Sequence, residues 1–267
     1  MRAALIAIAL GLVATPASAS ASPRVFSLDQ CADQYVLALS PRDRIVGLSE
    51  RARNFDSALK AQAAGLPLRR ATTESVLAAH PDVVVRDWGG DDWLARSLRR
   101  WRIGVVQIDE ARDFAGVRTN IRKVAAALDR RAAGEVLIAR MNAQLSRAAA
   151  GPAGAALYVT PGGDTAGSGT LVDAALRAAN VRNLARAPGY SSLSLEQLVA
   201  HPPPAMVLGF FKDLSHGTQH WTLAGNARFR SIAASRATAS LPGALIGCPV
   251  WFAADAAILV AAGRRPS

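Results

Sequence analysis

Thr72-Thr73-Glu74-Ser75-Val76-Leu77-Ala78-Ala79-His80-Pro81, followed by Val83-Val84-Val85, is answered later in the chain by Ser194-Leu195-Glu196-Gln197-Leu198-Val199-Ala200-His201-Pro202-Pro203, followed by Ala205-Met206-Val207-Leu208. Glu74 and Glu196, like Pro81 and Pro203, stand at one constant offset of 122 residues. Each copy has a hydroxyl N-cap, a Glu two positions on, a short helix, a proline stop and an apolar strand. Two independent helices would also favour a first-turn Glu, which gains about 0.3–1 kcal/mol from the helix dipole. A shared offset on either side of a long helical stretch makes duplicated lobes the better account.

Short apolar strands and helical patterns alternate outward from these copies. Arg24-Val25-Phe26-Ser27-Leu28 and Ile45-Val46-Gly47-Leu48 read as strands, with a helix opened by Asp29 or Asp33 between them that carries Tyr35, Val36 and Leu39. Further on, a helix from Leu94 precedes the strand Val105-Val106-Gln107-Ile108. Phe114, Val117, Ile121, Val124 and Leu128 then recur on one helical face. A second helix, capped by Asp129, runs through Val136, Leu137, Met141 and Leu145 to about residue 149; Gly134 inside it costs about 1 kcal/mol relative to Ala. After Gly151-Pro152-Ala153-Gly154 the βα alternation resumes. The expected fold is α/β: two Rossmann-like lobes with mostly parallel sheets, joined by a single long α-helix. The divisions are 22–112 for the N-terminal lobe, 113–150 for helices that include the bridge, and 151–267 for the C-terminal lobe.

With 51% hydrophobic and 19% charged residues in 267, the chain has an ordinary globular balance that excludes intrinsic disorder. The net charge of +11 invites a nucleic-acid reading. Yet the cations are almost all Arg, with only Lys60, Lys123 and Lys212 as lysines, and no basic run exceeds two residues. No nucleic-acid partner is expected. The scattered Arg excess reads first as a coding bias laid over a solvated surface, and second as a positive cleft that attracts an anionic ligand.

Met1-Arg2, an apolar stretch over residues 3–13 and the small residues Ala17-Ser18-Ala19-Ser20-Ala21 form the pattern of a cleaved export signal over residues 1–21. The two cysteines, Cys31 and Cys248, are too few for a disulfide scaffold or a four-thiolate metal site. Three readings stand for them: a disulfide favoured by export, two buried free thiols, or a thiolate pair for a soft ligand.

The combination resembles the periplasmic binding proteins of ABC importers for vitamin B12 and ferric siderophores. The resembling pieces are Cys31-Ala32-Asp33-Gln34, Arg44-Ile45-Val46-Gly47-Leu48-Ser49, the stretch from Glu74 to Val85, Gly167-Ser168-Gly169-Thr170-Leu171-Val172, Ser194-Leu195-Glu196-Gln197-Leu198 and Cys248-Pro249. One departure is Pro203-Pro204, where that family has Pro-Asp before the strand. The resemblance implies a monomeric periplasmic protein with no catalytic residues and no cofactor of its own, whose transported ligand carries iron or cobalt. It implies docking on the importer's transmembrane subunits through Glu74 and Glu196, one carboxylate per lobe. It also places ligand contacts near Arg51, Asp164, Tyr190 and Trp251; loop position adds Trp88, Lys212 and Trp221. A ferric siderophore is the favoured ligand because of the Arg surplus, with cobalamin, another corrinoid or heme as the alternative.

Enzyme readings find little. The sequence holds no G-x-S-x-G elbow, no P-loop and no G-x-G-x-x-G after a strand. Asp87, Asp91 and Asp92 read as a solvated turn. His216 and His220 lack a third ligand, so no metal site is expected. A secreted hydrolase is the rival class.

Overall fold

The computed structural model describes residues 22–151, 153–211 and 223–263; the expected export signal over residues 1–21 lies outside them. The first lobe reads β1 (Val25–Ser27), α1 (Gln30–Leu39), β2 (Ile45–Ser49), β3 (Leu68–Arg69), α2 (Thr73–Ala79), β4 (Val83–Arg86), α3 (Asp92–Arg100) and β5 (Gly104–Gln107). Its strands form one parallel sheet in the order β3-β2-β1-β4-β5. Two helices follow, α4 (Phe114–Ala127) and α5 (Arg131–Ala149).

The second lobe contains β6 (Gly154–Val159), β7 (Asp164–Ala166), α6 (Leu171–Ala178), β8 (Val181–Asn183), β9 (Tyr190–Ser192), α7 (Leu195–Ala200), β10 (Met206–Gly209), α8 (Ala227–Arg236), β11 (Ala237–Leu241), α9 (Gly243–Ile246) and α10 (Ala253–Ala262). Four of its strands make a second parallel sheet, β11-β10-β6-β8. The short strands β7 and β9 pair antiparallel as a separate ribbon.

Side chains alternate across each sheet, and that alternation divides the core. Phe26 and Val84 point to the face covered by Val76 and Ala79 of α2 and Leu94 and Leu98 of α3. Leu157, Val159 and Met206 point to the matching face of the second sheet, where Leu198 of α7 and Phe229 of α8 cover them. The opposite faces, with Val25 and Val85 in one lobe and Tyr158 and Val207 in the other, share one continuous cluster. Helices α1, α4, α5, α6 and α10 all contribute to that cluster, so the lobes are welded along one side.

The bridge is α5, whose 19 residues span about 28 Å. Asp129 does not cap it as expected. Its φ is +55°, so it turns the chain in the left-handed region, and Arg130 takes the cap position without a side-chain cap bond. The Arg130 guanidinium instead donates to the Leu39 carbonyl at 3.2 Å, pinning the start of the bridge to the end of α1. Gly134 has a packing reason: a Cβ there would lie 2.7 Å from Ala125 Cβ, so α4 and α5 touch only because it is absent.

Further bonds cross between the lobes at α1. Cys31 and Cys248 are joined as a disulfide with Cα atoms 5.3 Å apart. The Tyr35 hydroxyl donates to the Pro249 carbonyl at 2.6 Å, and the Trp251 ring meets Tyr35 edge-on at 5.3 Å. From the bridge, the Gln144 amide donates to Asp255 of α10 at 2.7 Å. The loop closed by the disulfide is long (sequence separation 217), and cross-links of this kind typically stabilise by about 2–4 kcal/mol. Changing both Cys31 and Cys248 to Ser should therefore lower the unfolding free energy by roughly that amount in denaturant titrations. The far-ultraviolet spectrum should stay native, because the shared core remains. Identical unfolding curves for the two proteins would show that the cross-link carries no stability.

Candidate functional site

Buried carboxylates at the start of α1 hold the loops that leave the carboxyl ends of β2 and β4. Asp29 is the N-cap of α1. One of its oxygens accepts from the Ala32 N–H at 2.9 Å, and the other accepts from the N–H groups of Asp87 and Gly89 at 2.7 and 2.9 Å. This clamps the turn after β4 onto the start of α1. Gly89 is needed for so close an approach, since a Cβ there would lie 2.4 Å from the Leu28 carbonyl oxygen. Trp88 is held at the crest of that turn, 53% exposed, and the Arg51 guanidinium sits 5.7 Å from its ring centroid.

Asp33, one turn along α1, does the same for the loop after β2. It accepts from the Ser49 N–H at 3.0 Å and the Ser49 hydroxyl at 2.6 Å, and the Ser49 oxygen accepts from the Arg51 N–H at 3.2 Å. Burial pushes the Asp33 carboxyl up to about 7, with the Ser49 bonds opposing the rise. Asp87 is pushed up to about 6, first by desolvation, then by the charge of Asp29; Arg86 opposes this and Asp109 adds to it.

On the second lobe, the β7–β9 ribbon presents Tyr190, 66% exposed, opposite Ala166. Desolvation of its hydroxyl raises its pKa, and the Glu110 carboxylate adds to the rise. Asp164 lies on the same ribbon, exposed, where it accepts from the Ser192 hydroxyl at 2.9 Å. Gly167 lets the following loop cross tightly, since a Cβ would lie against the Ala187 carbonyl.

The residues singled out from the sequence thus separate into groups. Arg51 and Trp88 come together in the first lobe, and Asp164 and Tyr190 share the ribbon of the second. Trp251 goes elsewhere. At 8% exposure it packs between Tyr35 and Phe252, and it helps line a cavity of about 580 Å³ between α1, α5 and α10. Its ring is committed to the weld between the lobes rather than offered at the loop tips. Lys212 and Trp221, with His216 and His220, lie outside the described residues.

Glu74 and Glu196 occupy equivalent exposed places in the first turns of α2 and α7. Thr72 and Ser194 cap the two helices by accepting from the Ser75 and Gln197 N–H groups, each at 3.3 Å. The Ser194 hydroxyl also donates to the Glu196 carboxylate at 2.6 Å, and this bond holds that carboxyl below its ordinary range. The sequence reading missed Glu110, Gly89 and the clamping roles of Asp29 and Asp33.

The model of the periplasmic binding protein family matches residues 25–238, and the chain belongs to that family. Members and structural neighbours are ligand-binding transport proteins, not enzymes. No curated protein matches the chain. Among solved structures it is similar to the periplasmic heme-binding protein BhuT in complex with two hemes, at 26% identity over 91% of this chain and 98% of that one, TM-score 0.68. It is also similar to the heme-binding protein HutB of Vibrio cholerae (18%, 88% and 96%, TM-score 0.71) and to the vitamin B12 binding protein BtuF of Vibrio cholerae (16%, 91% and 96%, TM-score 0.65). At their identities the last two show the shared fold alone.

The raised carboxyl of Asp33 generates a pH prediction. The folded state holds this proton above the unfolded value of 3.8, so the associated stability is present below about pH 4 and lost as pH rises through about 7. An Asp33→Asn side chain can keep both bonds to Ser49 while removing the titration. The variant should gain on the wild type across that window, by at most roughly 4 kcal/mol above neutrality. Urea unfolding of both proteins across the window checks this, and a constant difference between them would remove Asp33 from the account.

Proposed function

We propose that the chain is the exported solute-binding component of an ABC importer, and that it carries a flat iron chelate, heme, from the periplasm to the membrane subunits. The observation that carries the choice of ligand is the Arg51–Trp88 pair. A clamped aromatic face with a guanidinium over it suits a planar macrocycle with carboxylates at its edge. The exposed Tyr190 ring on the facing ribbon adds a second aromatic surface.

The arginine surplus points to a polyanionic siderophore only while all the loop arginines are free. Arg53 donates to the Ala63 and Leu66 carbonyls, and Arg86 to the Gly90 and Asp91 carbonyls with Asp92 at 3.6 Å. Among the described residues, Arg51 alone of the three makes no such bond through its guanidinium. Asp87, on the turn that carries Trp88, adds a negative charge there, which disfavours a highly charged anion, whereas Asp109 is paired with Lys123 at 2.6 Å. Similarity to a heme-holding protein at 26% identity supports the same choice.

Quenching of tryptophan fluorescence, titrated with heme, a ferric catecholate, a ferric hydroxamate and cyanocobalamin, tests this. Heme should bind most tightly, and Arg51→Ala should weaken it by about 10-fold. Tight binding of a siderophore or of cobalamin with no response to heme would reverse the ligand choice. Turnover of any ester or peptide would remove the transport reading.

Delivery rests on Glu74 and Glu196, one anchor per lobe for a two-fold pair of membrane subunits. Changing both to Arg should abolish uptake while heme affinity and melting temperature stay at wild-type values. A parallel fall in affinity would assign the two residues to the cleft instead.

A further inference from the structure

Helix α3 buries Leu94, Ala95 and Leu98 and turns a different chemistry outward. Trp93, Arg96 and Arg100 recur at i, i+3 and i+7 on one exposed stripe; Arg99 flanks it, and Trp101 and Arg102 follow at its end. Trp93 is 60% and Trp101 66% exposed, far more than a core-forming helix requires of its largest residues. The side chains of Arg96, Arg99, Arg100 and Arg102 make no hydrogen bond or ion pair among the described residues. The acids at the helix start are already engaged: Asp91 caps Leu94 N–H at 2.7 Å, and Asp92 lies 3.6 Å from Arg86.

The position of this face matters as much as its composition. Helices α2 and α3 pack side by side on one face of the sheet, and both begin at the carboxyl ends of strands. The second lobe repeats the arrangement: α8 packs beside α7, exposes Arg228 and Arg236, and contains no acidic residue. Each helix that carries a docking glutamate is therefore flanked by a basic helix.

We infer that α3, seconded by α8, is a membrane-surface contact that rests on the anionic phospholipid headgroups around the importer. Unpaired guanidiniums attract an anionic leaflet, and tryptophans favour the headgroup zone, so this exposed face suits a peripheral contact while the apolar face of α3 stays in the core. The contact orients the protein with α2 and α7 toward the membrane subunits, so it rests on the docking reading above. It also gives the net charge of +11 a use that the ligand cleft does not supply.

Co-sedimentation of the whole mature protein with lipid vesicles tests it. Vesicles of phosphatidylethanolamine with phosphatidylglycerol should retain the protein at low salt and release it at high salt, while phosphatidylcholine vesicles should not retain it. Brominated phosphatidylglycerol should quench fluorescence in the wild type and much less in Trp93→Ser/Trp101→Ser. The variant Arg96→Glu/Arg99→Glu/Arg100→Glu should lose about 10-fold or more in vesicle affinity, with heme affinity and melting temperature unchanged because these side chains are exposed. The Glu74→Arg/Glu196→Arg protein should bind vesicles undiminished, which separates failure of this surface from failure of permease docking. No retention on phosphatidylglycerol vesicles, or equal retention of the triple variant, would overturn the proposal. So would a triple variant that fails to dock on the importer held in neutral phosphatidylcholine, since the face would then belong to a protein loop.

Discussion

Helix α1 belongs by sequence to the first lobe, yet its bonds run into the second. Cys31 is cross-linked to Cys248, Tyr35 donates to the Pro249 carbonyl, and the Tyr35 ring stands edge-on to Trp251. The constraint on which the rest depends is this weld, formed where the end of the chain returns past the start of the fold. Without it the lobes would share only the bridge helix, and the relative position of Arg51, Trp88 and Tyr190 would be free to drift. The weld is apolar over most of its extent and needs no partner to form.

A second design element is the use of buried carboxylates as loop clamps. Asp29 and Asp33 on α1 hold the loops after β4 and β2, and Asp173 on α6 accepts from Asn183 at the end of β8 at 3.0 Å. The two lobes thus repeat one device: an acid in the first turn of the first helix ties that helix to the next strand. Burial disfavours the charge of Asp33, so the clamp there costs stability in return for a fixed Arg51 loop. Rigid loops suit a receptor that performs no chemistry and must only present one shape to its ligand.

Much of this was legible in the sequence because it rests on local signals. The capped helices α2 and α7, the β1–α1–β2 run and the bridge follow from hydroxyl caps, proline stops and apolar period. The elements that were not legible lack those signals. Strands β7, β8 and β9 are three residues each, too short for alternation to show. Helix α8 buries only Phe229 among its ten residues, so no apolar face announces it, and β11 follows without a break. The packing of Trp251 against Tyr35 was not legible either, because it joins residues 216 positions apart. The clamps of Asp29 and Asp33 join residues far apart in sequence, and no local pattern reports them.

The central claim is that the lobes are welded into one rigid receptor whose cleft exists before the ligand arrives. Small-angle scattering of the protein, free and saturated with whichever ligand of the titration panel binds it, measures this most directly. The account predicts radii of gyration that agree within about 1 Å, because a helix bridge with a shared core resists hinge closure. A contraction of several Å on ligand binding would contradict it and would mean that the lobes swing about α5.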